Sequence, residues 1–431
     1  MSLAEGEIVE LQVEKPVAGG RMIARHEGQV VLVRGGIPGE RVVARVERAE
    51  RRMAYAVVRD VIEASTDRRP AFEDSVCGGA LYSHIAYPRQ LAIKSDVIRD
   101  GFARLGKYPI EQPIDVAASP EEGYRMRARF HVDGPRAGFY REGTHQLCDA
   151  AGTKQMGGAA LAAVRALAQN LHDAAPGAVT EIALAENLLA TQRAAHLELA
   201  PGAKLAERAL EDACAAAALQ GVSARDMTTG APLTAGSPAV VDELTDVTDT
   251  RVPAGTLRRR AESFFQGNRF LLPALVTAVA DAVPHEGEIV DLYAGVGLFS
   301  VALAALGSLE VTAVEGDRSS GEDLRENARP YGPRLAARVE RVEDYLASRG
   351  RRAPAAIIVD PPRAGLSQPA TSSLIRLGAP HLAYVSCDPP TLARDARRLL
   401  DAGYRLEALR AFDLFPNTPH IEVLAVFTKL L

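Results

Sequence analysis

Cysteine is scarce in this chain. Four cysteines, Cys77, Cys148, Cys214 and Cys387, are scattered over 431 residues. That number and spacing exclude a disulfide framework and fit a reducing cytoplasm, the expected compartment. Long apolar runs are missing too. None approaches the about 18 residues of a membrane span, so no membrane partner is expected. Met1-Ser2-Leu3-Ala4-Glu5-Gly6-Glu7 is acidic and has no apolar core, which excludes a secretory signal there. Excess positive charge is also lacking, since the formal net charge is −5. That average does not point to a nucleic-acid binder, yet binding needs only a local basic face. The length predicts two or three domains.

Residues 1–63 read as short alternating runs at 7–13, 28–33, 40–47 and 54–61. Gly19-Gly20, Gly35-Gly36 and Pro38-Gly39 punctuate them. The pattern predicts a small β-barrel; an oligonucleotide-binding barrel and a generic β-domain both satisfy it. Residues 64–255 mix strands with Ala-rich helices, including 90–105 and 157–171, and 228–250 reads as turn-rich and weakly structured. Between 256 and 431 the pattern changes. Runs at 288–292, 310–314, 355–359 and 381–386 alternate with helices, the signature of an α/β domain with a parallel sheet. Runs at 406–415 and 422–429 are joined by a short Pro-containing loop, which predicts an antiparallel last strand.

A local basic face is offered by Tyr124-Arg125-Met126-Arg127-Ala128-Arg129-Phe130 with Arg141. Arginines at every second position line one face of a strand. Arg125, Arg127, Arg129 and Arg141 are the RNA-binding candidates, with Tyr124, Phe130, Phe139 and Tyr140 placed to stack on bases. A solvated strand face fits the same pattern.

Asp291-Leu292-Tyr293-Ala294-Gly295-Val296-Gly297 reads as a strand end, a glycine turn and a helix start. Glycines let the backbone pass close to a ligand. Glu315 ends the following strand, where a carboxylate accepts ribose hydroxyls. Ser300 stands where the third glycine of a dinucleotide fingerprint would be. A cofactor without a pyrophosphate needs no such glycine, which favours S-adenosylmethionine over a nicotinamide. Asp360-Pro361-Pro362-Arg363 ends a strand on the same edge. Arg363 in place of an aromatic argues against amino-group methylation.

Cys387 ends the next strand, so it should share a cleft with Asp360. A thiolate can add to C6 of a pyrimidine and make C5 nucleophilic toward a methyl donor. A base must then take the C5 proton, and Glu422 at the start of the last strand is placed to do so. A free thiol ionises near pH 8.5, so neighbouring charge must help.

With these motifs in order, the chain resembles the RNA uracil-C5 (5-methyluridine) methyltransferases acting on 23S ribosomal RNA and transfer RNA. The resemblance rests on Phe264-Phe265-Gln266-Gly267-Asn268, the 291–299 turn, Asp360-Pro361-Pro362-Arg363, Ser386-Cys387-Asp388-Pro389 and His420-Ile421-Glu422. It implies a Rossmann-like class I methyltransferase domain at 256–431, a TRAM-like RNA-binding barrel at 1–63 and a mixed α+β RNA-binding domain at 64–255. It implies Cys387 as nucleophile, Glu422 as base, cofactor contacts from Gln266, Tyr293, Gly295, Gly297, Glu315 and Asp360, and a monomer. Asp388 stands where members have Asn, and a carboxylate there tends to raise the thiol pKa. TRAM-bearing bacterial members hold an iron–sulfur cluster on four cysteines. Here only Cys77 and Cys148 remain, so no metal and no cluster are expected, with the loop held by ordinary packing. A non-catalytic RNA-binding protein on the same scaffold is the alternative. It would have no need of Cys387, Glu422 or Gln266.

Overall fold

The computed structural model describes residues 3–225, 230–248, 252–284, 286–308, 310–350 and 352–429. Five strands, Ile8–Pro16, Met22–His26, Gln29–Arg34, Arg41–Ala49 and Met53–Glu63, close into a barrel. Alternation drives closure: Val9, Leu11 and Val13 point inward between exposed neighbours. The sequence pattern missed the strand Met22–His26, whose Met22, Ile23 and Ala24 are buried in succession and show no alternation. Tyr82, Ile85 and Ile93 join the barrel's core from the segment that follows it.

A seven-stranded sheet runs in the order Pro232–Gly236, Gly221–Arg225, Arg193–Leu199, Val179–Glu186, Arg127–Asp133, Arg136–Tyr140 and Leu147–Cys148. The helices Gly158–Ala174 and Glu207–Ala216 cover its apolar face. The segment expected to be weakly structured is largely ordered. It forms Pro232–Gly236 and a ribbon of Ala239–Glu243 with Thr256–Arg260. Buried ionic pairing explains the misreading, since Arg259 meets Asp242 at 3.0 Å and neither looks like core in the sequence. Thr228 and Thr250, the ends of that reading, lie outside the described residues.

Cys77 and Cys148 form a disulfide with Cα atoms 5.8 Å apart. This corrects the expectation that ordinary packing holds the loop. The cysteines are 71 residues apart in sequence; a bridge between Cys77 and Arg141, beside the hairpin of Arg136–Tyr140 and Leu147–Cys148, brings them together.

The C-terminal sheet runs Leu335–Val339, Glu310–Glu315, Glu288–Leu292, Ala356–Val359, His381–Ser386, Glu422–Lys429, Tyr404–Phe412 and Val116–Ala117. Its central strands are continuous apolar runs because helices cover both faces. Glu422–Lys429 is antiparallel to both neighbours. The edge strand Val116–Ala117 comes from the segment expected to form the central domain, as does the helix Tyr87–Arg104 that packs on Pro389–Asp401. Among the described residues no helix is long and apolar enough to cross a membrane.

Candidate active site

The strand order reverses between Glu288–Leu292 and Ala356–Val359, and ligands of open α/β sheets bind outside the carboxyl ends at such a point. A cavity of about 730 Å³ opens there. Gln266, Tyr293, Gly295, Glu315, Asp360, Cys387 and Glu422 all line it. Gly297 lies just behind, as the residue capping the helix Leu298–Ala305.

The glycine turn is fixed by backbone geometry. Tyr293 has φ 62°, Gly295 φ 57° and Gly297 φ 93°. A Cβ on Gly297 would also stand 2.8 Å from Leu324 Cδ1, so a side chain there would be strained in backbone and would have to displace Leu324. The turn brings the Gly295 amide to Oε2 of Glu315 at 2.8 Å, and the Asp317 amide donates to Oε1 at 2.6 Å. The carboxylate is thereby oriented, with lone pairs left for a ribose diol. Gln266 Nε2 donates to Asp360 Oδ2 at 3.2 Å. Burial, and then Asp291, push Asp360 up to about 7. Asp291 is fully buried behind the turn, accepts from the Ser300 hydroxyl and keeps Oδ1 without a partner. Burial pushes it up to about 7. Carboxylates in and behind the cavity, with an oriented Glu315, fit a cationic sulfonium cofactor carrying a ribose.

Sheet register brings Cys387 and Glu422 together. Ser386 lies opposite Val423, so Cys387 and Glu422 meet one residue further on. The antiparallel sense of Glu422–Lys429 is what puts its first residue at the carboxyl edge of the parallel strands. Cys387 occupies the bend between His381–Ser386 and the helix Pro389–Asp401. Asp388 turns away to cap that helix, accepting from the Thr391 amide at 2.9 Å. Burial, then Glu422, push the Cys387 thiol up to about 11, while Arg363 opposes both by charge and hydrogen bonding. Glu422 is only 2% exposed, and burial with Asp360 raises it well above the usual carboxylate range. Arg363, another lining residue, was missed as a functional group. The sequence reading used it only to exclude amino-group methylation, although it ends the same strand-end motif as Asp360.

The four candidate RNA-binding arginines do not share one face. Arg127 and Arg129 line the cavity, and Arg127 sits 5.5 Å from the ring of Phe264. Arg125 is engaged internally with Gln155 Oε1 at 2.7 Å. Arg141 pairs with Asp74 at 2.9 Å beside the disulfide loop. The base-stacking expectation fails for Tyr124, Phe130 and Phe139, which are buried. Phe130 and Phe139 stack on each other, their rings 5.2 Å apart, and Tyr140 stacks on His131. The exposed aromatic at the cavity is instead Phe264, at 59%. Its place beside Gln266 was the available signal.

Residues 341–430 match the model of the tRNA (Uracil-5-)-methyltransferase family, and residues 3–58 match the TRAM domain. A 23S rRNA (uracil(1939)-C(5))-methyltransferase of Halomonas elongata is 33% identical, covering 96% of this chain and 88% of the relative. An RNA methyltransferase of Streptomyces avermitilis is 33% identical over 98% of both chains. The crystal structure of the Pyrococcus abyssi tRNA (uracil-54, C5)-methyltransferase with S-adenosyl-L-homocysteine superposes with a TM-score of 0.75. It is 23% identical and covers 97% of this chain and 99% of that one. The chain belongs to the family of S-adenosylmethionine-dependent RNA (uracil-C5) methyltransferases.

Proposed function

We propose that this enzyme methylates C5 of a uridine in structured RNA through a covalent bond to Cys387. The observation that carries this reading is the meeting of Cys387, Glu422 and Arg363 in the cavity that also holds Glu315 and Asp360. S-adenosylmethionine, held through Glu315, Tyr293, Gly295, Gln266 and Asp360, would supply an electrophilic methyl group, its sulfur keeping the bonding pair as S-adenosylhomocysteine leaves. Arg363 stabilises the thiolate of Cys387, which adds to C6 of the uracil. Electron density moves to C5, and C5 takes the methyl group. Glu422, as carboxylate, removes the C5 proton. The C5–C6 double bond re-forms and the Cys387–C6 bond breaks, returning the thiolate. Glu422 must lose its own proton before it can act, and its raised pKa makes it a strong acceptor once ionised.

We further propose that residues 1–63 act as an RNA-binding module, that 64–255 form the central RNA-binding unit and that 256–431 carry the catalytic domain. Arg127 and Arg129 at the cavity mouth are the arginines best placed to meet the substrate backbone. Relatives named for 23S rRNA, matched over nearly the whole chain, support ribosomal RNA as the substrate class. Mapping 5-methyluridine in RNA from cells with and without the gene tests this. Loss of one 23S rRNA site is expected; loss confined to tRNA would reassign the substrate.

A further inference from the structure

We propose that the N-terminal barrel positions the catalytic loop, with Gly20 as a positioning residue acting through Pro419. This rests on the reading of Glu422 as the base. The loop between Tyr404–Phe412 and Glu422–Lys429 carries Pro419 and His420 near its end and leads into Glu422. On its outer side it is held by the barrel and the segment that plugs it. The Tyr82 amide donates to the carbonyl of Asn417 at 2.8 Å, and Tyr82 is itself part of the barrel core. Gln90 Nε2 and Arg69 Nη2 both donate to Asn417 Oδ1, at 3.0 and 2.7 Å. Lys94 pairs with Asp413 at 2.5 Å, both fully buried.

The barrel itself touches the loop at the turn before Met22–His26. A Cβ built on Gly20 would stand 2.9 Å from Cγ and 3.1 Å from Cβ of Pro419. That is closer than carbon atoms tolerate, so one side must move. A proline ring is tied to its own backbone and cannot swing aside as a flexible side chain does. Displacing it moves Pro419, and with it the peptide leading through His420 to Glu422. The proton acceptor is thus held against Cys387 partly by the surface of the barrel. RNA binding to the barrel and base catalysis are mechanically joined at this contact.

The chain supplies its own control. Gly19 has φ 89° and Gly20 φ 91°, so alanine meets the same backbone penalty at either position. Only Gly20 faces Pro419; nothing lies within 4 Å of a Cβ on Gly19. The experiment compares Gly19→Ala and Gly20→Ala for kcat, RNA affinity and the amount of SDS-stable RNA–protein adduct. Gly20→Ala is expected to lower kcat about tenfold relative to Gly19→Ala, since sub-ångström misplacement of a reacting group is costly. RNA affinity should match between the two, and adduct should accumulate in Gly20→Ala alone. Equal kcat values, or a loss confined to RNA affinity, overturns the proposal. Pro419→Ala, which removes the closest ring atom, is the second arm. Gly20→Ala should then cost much less in that background; an undiminished cost also overturns the proposal. Glu422→Gln is run alongside. Absence of adduct there would overturn the base assignment, whereas the Gly20 and Gly19 kcat values decide the coupling independently.

Discussion

Nη2 of Arg363 lies 3.1 Å from Nδ1 of His420. Burial, and then Arg363 itself, push His420 down to about 4, so its ring is neutral and Nδ1 accepts. Arginine has donors only, so this bond fixes the guanidinium by one edge. Its charge stays directed at Cys387, whose thiol it favours in the ionised form. The anionic neighbour suspected from the sequence, Asp388, is occupied at the helix terminus. What raises the thiol is burial, Glu422 and Asp360.

Cys387 alkylation by iodoacetamide should therefore keep accelerating up to pH 9.5 in the cofactor-free enzyme. Arg363→Gln should slow it at every pH in that range and lower kcat at pH 7.5, because the opposing charge is gone. Rates corrected with Cys387→Ala provide the measurement. A plateau below pH 8 would show that the thiol is activated without substrate.

Glu315 is oriented by two backbone amides before any ligand arrives. Glu315→Gln loses charge-assisted acceptance of the ribose hydroxyls. Affinity for S-adenosylhomocysteine in calorimetry should fall roughly tenfold or more, given about 1.5–3 kcal/mol for hydrogen bonds to a charged group. Unchanged affinity would place the ribose elsewhere.

Asp291 couples folding stability to pH. Its folded pKa of about 7 lies above the ordinary aspartate value of 3.8, so the folded state binds the proton more tightly. That contribution is present at acid pH and is lost as pH rises from about 4 through about 7. Asp291→Asn cannot ionise, so its melting temperature relative to the unmodified enzyme should improve progressively from pH 5 to pH 8. A constant offset across that range would show that Asp291 stays ionised throughout.

The disulfide closes a separation of 71 residues, and such a crosslink stabilises by about 2–4 kcal/mol. Reduction, or Cys77→Ser with Cys148→Ser, should lower the melting temperature by several degrees. Non-reducing mass spectrometry should find Cys77 and Cys148 protected from alkylation. The as-purified protein should lack absorbance near 400 nm. Stoichiometric iron would instead assign both sulfurs to a cluster.

The parallel sheet and its edge were legible because they are encoded locally. Apolar runs ending in Asp291, Glu315, Asp360 and Cys387 name both the strands and their carboxyl ends. Glu422 was legible because the short loop before it implied an antiparallel strand. Arg363 was not, since its role depends on His420, 57 residues away in sequence and joined only by folding. The aromatics of 124–140 misled for the opposite reason. Their spacing fits an exposed strand face, but the helix Gly158–Ala174 covers that sheet face and turns Phe130 and Phe139 into core. Val116–Ala117 was invisible because two residues pairing with the distant strand Tyr404–Phe412 carry no pattern of their own.

The central claim is that Cys387 bonds to the substrate and Glu422 releases it. Glu422→Gln, incubated with RNA and methyl-labelled S-adenosylmethionine and resolved on a denaturing gel, tests it most directly. The account predicts a labelled RNA–protein band that disappears when Cys387→Ala is added to Glu422→Gln, with turnover reduced about 10²–10⁴-fold. Free 5-methyluridine formed at the normal rate, with no labelled band, would contradict it.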